Sequence, residues 1–164
     1  LRIYKNIPLI EPVETKENLR IEELVIVVDT SYSTSGELVK KFLRETFTIL
    51  SETDSFFRKR KIHIIQCDEL VHSDITVTGD TDIDILINNF ELAGGGNTDF
   101  RPAFEYVNNL IDTGEIKKLQ GLLYFTDGKG KYPKKKMPYN TAFVFIDKLS
   151  ETAVPAWAMK VSLE

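Results

Sequence analysis

Cysteine is almost missing from this chain. Cys67 is the only thiol in 164 residues, so no internal disulfide can form and a disulfide-stapled scaffold is excluded. A lone thiol gives no sign of an oxidising compartment, and a cytoplasmic location is the default expectation. Long apolar runs are missing too. The longest, Leu24 to Val28 and Ala142 to Ile146, fall far short of the ~18 to 20 residues that a membrane helix requires, so no membrane partner is expected. Nine Gly and six Pro without a repeat exclude a collagen-like chain, and an apolar content of 42% excludes a disordered one. Basic residues are not in excess: 21 Lys and Arg stand against 25 Asp and Glu, for a net charge of −4. That balance argues against broad nucleic-acid binding, so nucleic acid is not expected as a partner. What remains is the size of one globular domain, able to bury roughly two-thirds of its unfolded surface.

The sequence opens at Leu1 without a Met or a signal pattern and reads as a piece of a longer protein. Residues 1–21, with Pro8, Pro12 and no clear period, read as a linker or N-terminal arm, and residues 22–164 as the domain.

Glu23 to Asp29 is short, β-branched and continuously apolar inside, the pattern of a strand covered on both faces in a parallel sheet. Over residues 36–52, Leu38, Val39, Phe42, Leu43, Thr46, Phe47 and Leu50 recur at spacings of three and four, which predicts an amphipathic helix. Lys61 to Cys67 and Glu69 to Thr78 read as strands joined too closely for a parallel crossover, hence as an antiparallel hairpin. A short helix at Ile83 to Phe90 and a longer one from Asp99 or Phe100 to Ile111 follow. Strands at Leu119 to Thr126, Thr141 to Asp147 and Ala156 to Leu163 complete the set, with a short helix at 148–152. This order predicts an α/β fold: a Rossmann-like, doubly wound, mostly parallel six-stranded sheet with one antiparallel strand and helices on both faces.

In such sheets ligands bind beyond the carboxyl ends of the strands, where the strand order reverses. Tracing the chain brings Asp29, Thr98 and Asp127 to that edge. Three segments there carry oxygen: Asp29-Thr30-Ser31-Tyr32-Ser33, Gly94-Gly95-Gly96-Asn97-Thr98-Asp99, and Phe125-Thr126-Asp127-Gly128. Carboxylates and hydroxyls without nearby Cys or His form a hard-oxygen set, suited to Mg²⁺ or Mn²⁺ and poorly to Zn²⁺. In an extended loop, residues i, i+2 and i+4 can turn toward one point, which gives Asp-x-Ser-x-Ser a geometric use. Simpler roles stay open: Asp29 and Ser31 could cap the next helix, and Asp127-Gly128 could make a turn.

Taken together, the three segments resemble the metal-ion-dependent adhesion site of von Willebrand factor A-like domains. That pattern is Asp-x-Ser-x-Ser, a later Thr after a glycine-rich loop, and a later Asp followed by Gly. The resemblance covers about residues 22–164. Within the family, the stretches from Val28 to Ser33 and from Gly94 to Pro102 are most similar to the C-terminal A-like domain of a bacterial group in which a metallopeptidase-like region precedes it. The resemblance implies that Ser31 and Ser33 bind Mg²⁺ (or Mn²⁺) directly, Thr98 directly or through water, and Asp29 and Asp127 largely through bridging waters. It further implies an open position for a Glu or Asp carboxylate supplied by a protein partner.

Around this set, Asp99 reads equally as an additional carboxylate or as a cap of the following helix, and Arg101 as its pairing partner or as a guide for a partner's acid. Tyr32 and Asn97 border the expected ligand surface. The loop 129–136 should rise beside the metal, where Lys134, Lys135 and Lys136 would attract an acidic partner if they are more than a solvated run. Gly79 to Asp84 reads as a turn and helix cap at the opposite edge, and His63, His72, Cys67 and Trp157 read as structural. Enzyme alternatives lack parts. A haloacid-dehalogenase-type phosphatase needs an acid where Ser31 stands, a response-regulator receiver needs paired acids beside Asp29, and no GxxxxGK[ST] loop is present. A metal-dependent interaction module is therefore expected, with a metal-independent assembly domain, or an accessory domain of a metallopeptidase-like enzyme, as the alternatives.

Overall fold

The structure is a computed structural model and describes residues 22–31, 35–51, 60–145 and 154–162. Strand β1 (Glu22–Asp29) leads into helix α1 (Gly36–Leu50), then β2 (Arg60–Cys67), β3 (Val71–Thr78), α2 (Ile83–Asn88), α3 (Arg101–Asp112), β4 (Leu119–Thr126), β5 (Asn140–Phe145) and β6 (Met159–Ser162). The six strands lie in the order β3-β2-β1-β4-β5-β6. Only β3 runs antiparallel to its neighbour, as the short link to β2 demands. The predicted arm at 1–21 and the short helix predicted at 148–152 lie outside the described residues.

Alternation along β1 sorts the core into two layers. Leu24, Ile26 and Val28 face α1 and α2, together with Phe42, Phe47, Ile87 and Phe125. Val25 and Val27 face α3, together with Phe104, Val107, Tyr124 and Phe143. All five of these β1 side chains are at most 1% exposed, the reason the run carries no polar face. Phe42 of α1 stacks on Phe125 of β4 with ring centroids 4.4 Å apart, tying the first helix to the sheet centre.

Several element ends differ from the sequence expectation. The hairpin strand begins at Val71 rather than Glu69, because the Asp68 backbone N–H donates to the Leu70 carbonyl (3.1 Å) while the Leu70 N–H donates to the Asp68 carboxylate (2.9 Å), closing a turn. The last strand begins at Met159 rather than Ala156, since Ala158 N–H donates to the Pro155 carbonyl (3.1 Å) in a turn. Trp157 therefore precedes the strand, with its ring edge-on to Phe104.

From β1 the chain moves outward to β2 and β3, then crosses back to β4 on the other side. The strand order thus reverses between β1 and β4, at the carboxyl ends marked by Asp29 and Thr126.

Candidate metal centre at the strand ends

Asp29, the last residue of β1, is fully buried. One carboxylate oxygen accepts the Ser31 backbone N–H at 2.8 Å, and the other accepts the Thr126 hydroxyl at 2.6 Å across the reversal point. Burial pushes its carboxyl above the usual range, the hydrogen bonds from Thr126 and Ser31 oppose that, and the charge of Asp127 adds to it. The Thr126 hydroxyl in turn accepts the Gly128 N–H at 3.1 Å, so the β4 exit is built around the same carboxylate.

The glycine-rich segment comes to this edge as the topology predicts. Gly95 N–H donates to the Thr30 carbonyl at 2.8 Å, Gly96 N–H to an Asp68 carboxylate oxygen at 3.0 Å, and Asp99 N–H to the Asp68 carbonyl at 3.2 Å. Thr98 is half-buried, with its methyl only 2.7 Å from where a Cβ on Gly130 would stand. The chain after Asp127 therefore lies against Thr98, pinned where Phe100 N–H meets the Lys131 carbonyl at 3.1 Å. Asp127 is half-buried and accepts the Lys129 N–H at 3.0 Å. Asp29, Ser31, Thr98 and Asp127 thus share one edge, while Tyr32 and Ser33 lie outside the described residues. Among the described residues no three His, Cys, Asp or Glu side chains form a group that could hold a metal ion.

Of the bordering residues, Asn97 is exposed. Asp99 accepts the Arg101 backbone N–H at 3.0 Å and the guanidinium at 2.9 and 2.8 Å, so the pairing reading of Arg101 holds. Those hydrogen bonds from Arg101 hold the Asp99 carboxyl below its usual range. Asp82 caps α2 by accepting Ile85 N–H at 3.1 Å, far from this edge, as expected. His63 and His72 bond Asp74 and Asp68, each at 2.8 Å.

The lysine-rich loop departs from the course expected from the sequence, since only its first part lies at the Asp29 edge. Buried Met137 and Tyr139 and half-buried Tyr132 draw it across the α3 face of the sheet. Lys136 ends beside Leu119 and Asn140, the first residues of β4 and β5, around an open depression of about 520 Å³. Those strand starts lie a full β4 length, about 23 Å, from the Asp29 edge. The basic residues exposed near the site are Arg101, Lys129 and Lys131.

Sequence reading missed the residues that organise the edge: Thr126 as the clamp on Asp29, and Gln66 and Asp68 as supports for the glycine segment. The signal was present, since the carboxyl end of β2 had to share the Asp29 edge.

A doubly wound, mostly parallel α/β sheet with one antiparallel edge strand is consistent with the von Willebrand A type. The family model described as VWA-like domain (DUF2201) matches residues 24–164, and the chain belongs to that family. Domains of this kind are generally non-enzymatic interaction modules. Among solved structures, the chain is similar to part of the crystal structure of the three N-terminal domains of the type V pili tip protein Mfa5 from Porphyromonas gingivalis, at 17% identity and a TM-score of 0.46. That match covers 72% of this chain and 22% of the other. No curated protein matches. Among the described residues no helix is long and apolar enough to cross a membrane.

Proposed function

We propose that the domain is a divalent-cation-dependent protein-interaction module. In this reading Asp29, Ser31, Ser33, Thr98 and Asp127 hold Mg²⁺ or Mn²⁺, and an Asp or Glu of a partner protein completes the site. The observation that carries it is the convergence on Asp29: a fully buried carboxylate, held by Ser31 and Thr126, beside Asp127 and the segment bearing Thr98.

The donors fit such an ion, being hydroxyl and carboxylate oxygens without sulfur or imidazole. Both Asp29 oxygens already receive protein hydrogen bonds, which suits a carboxylate that reaches an ion through water and is oriented beforehand. When bound, the ion supplies a positive centre with a coordination position left for an outside carboxylate. The protein does the rest. Thr126 fixes the Asp29 rotamer, the glycine segment delivers Thr98, and exposed Lys129 and Lys131 favour an approaching acidic surface.

Calorimetric and melting titrations with Mg²⁺ and Mn²⁺, with and without high acetate, test this beside the Ser31→Ala/Ser33→Ala double variant. One site in the wild type, lost in the variant, is expected. A wild-type protein indifferent to both metals even in acetate overturns the reading and leaves a metal-independent assembly surface.

A further inference from the structure

The segment from Phe90 to Phe100 is neither helix nor strand, yet it carries Thr98. A loop of this length with three consecutive glycines has many conformations to lose, so something must set its path. The restraints come mainly from the carboxyl end of β2. Gln66, 4% exposed, donates its side-chain amide to the Glu91 carbonyl at 3.1 Å and accepts Ala93 N–H at 2.7 Å. Asp68, also 4% exposed, works in two directions. Oδ1 accepts Leu70 N–H at 2.9 Å and His72 Nε2 at 2.8 Å, bolting it to the β2–β3 turn. Oδ2 accepts Gly96 N–H at 3.0 Å, and the Asp68 carbonyl accepts Asp99 N–H at 3.2 Å.

Thr98 stands between the two residues that Asp68 holds. We propose that Asp68 is the positioning residue for Thr98: its clamp on Gly96 and Asp99 sets Thr98 relative to Asp29 and Asp127, and thereby the affinity of the site for its ion. The affinity part of this inference rests on the proposed function, whereas the positional part rests on the hydrogen bonds alone. Burial by itself would raise the Asp68 carboxyl, but the N–H groups of Leu70, His72 and Gly96 outweigh it and hold it below its usual range, as befits a carboxylate acting as a fixed acceptor.

The test compares Asp68→Ala and Asp68→Asn with the wild-type chain by amide hydrogen exchange and by Mg²⁺ titration. Asp68→Asn is the finer tool. Its carbonyl oxygen keeps the Leu70 and His72 partners, but its NH₂ faces the Gly96 N–H, donor against donor, so the turn survives and the loop is released. In both variants the Gly96 amide, which loses its side-chain acceptor, is expected to exchange at least about tenfold faster while those of Val27 and Leu123 do not change. Mg²⁺ affinity is expected to fall about 10- to 100-fold, the usual effect of losing a group that orients metal ligands. In Asp68→Asn the affinity is read in EDTA-stripped protein that still melts well above the titration temperature, so the loss is separate from the modest destabilisation expected of one lost hydrogen bond to a charged group. Unchanged exchange at Gly96, or wild-type Mg²⁺ affinity in folded Asp68→Asn, overturns the proposal. A wild-type chain that takes up no Mg²⁺ overturns the proposed function instead. Exchange then decides for Asp68: acceleration at Gly96 sustains the clamp, and its absence refutes it.

Discussion

Substituting Gly94 by Ala measures how closely the glycine segment is set onto the ends of β1 and β2. Gly94 has φ +128°, and a Cβ there would stand 2.7 Å from Thr30 Oγ1, 3.0 Å from Asp68 Oδ2 and 3.2 Å from His72 Cδ2. Its neighbour Gly95 has φ +99° and nothing within 4 Å of the same position, so it serves as an internal control. Both substitutions force an L-residue into an unfavourable backbone region, costing about 1–3 kcal/mol. Only Gly94→Ala also meets neighbours that cannot retreat, Thr30 and Asp68 being 2% and 4% exposed. Overpacking of this kind adds about 1–3 kcal/mol. Mid-range sums are about 4 kcal/mol for Gly94→Ala and about 2 kcal/mol for Gly95→Ala. At roughly 3 °C per kcal/mol for a chain of this size, the melting temperature falls by about 12 °C and about 6 °C. Thermal melting of the three proteins in EDTA, followed by circular dichroism, checks the pair. If Gly94→Ala melts no lower than Gly95→Ala, the close approach to Thr30 and Asp68 does not exist and the placement of Thr98 must be redrawn.

Burial would raise the Asp74 carboxyl above its ordinary 3.8, but hydrogen bonds from His63 and Tyr106 outweigh it and hold it lower. A depressed carboxylate contributes stability that is present above its unfolded pKa and lost as pH falls through the folded one. The melting-temperature gap between wild type and Asp74→Asn should therefore shrink as pH is lowered from about 4 to about 2, and a constant gap would contradict the assignment. Tyr106→Phe removes the 2.6 Å hydrogen bond to Asp74. It should cost about 2 kcal/mol near neutral pH, or about 6 °C in melting temperature. Replacing Lys129 and Lys131 by Gln should slow association with an acidic partner captured in Mg²⁺, more at low salt than at high. The same change at Lys134, Lys135 and Lys136 should leave the rate alone; equal effects of the two sets in stopped-flow mixing would refute the course given to the loop.

The sequence alone determined the features that depend on periodicity and connection length. The unbroken apolar run of β1, the three-and-four spacing of α1 and the short β2–β3 link are local facts, and they suffice for a mostly parallel sheet with one reversed strand. They also brought Asp29, Thr98 and Asp127 to one edge, because strand direction follows from the alternation of elements. Tertiary structure decided what depends on partners distant in the chain. Asp29 meets Thr126 across 97 positions and Asp68 meets Gly96 across 28, and no local pattern distinguishes those side chains from others of their kind. The lysine-rich loop shows the same division. Its charge was plain in the sequence, but its course was set by Tyr132, Met137 and Tyr139, whose burial against the α3 face drew Lys136 to the far edge. The lysines stay exposed along that course, so apolar burial sets it unopposed, and only the assembled sheet offers the surface on which that burial takes place.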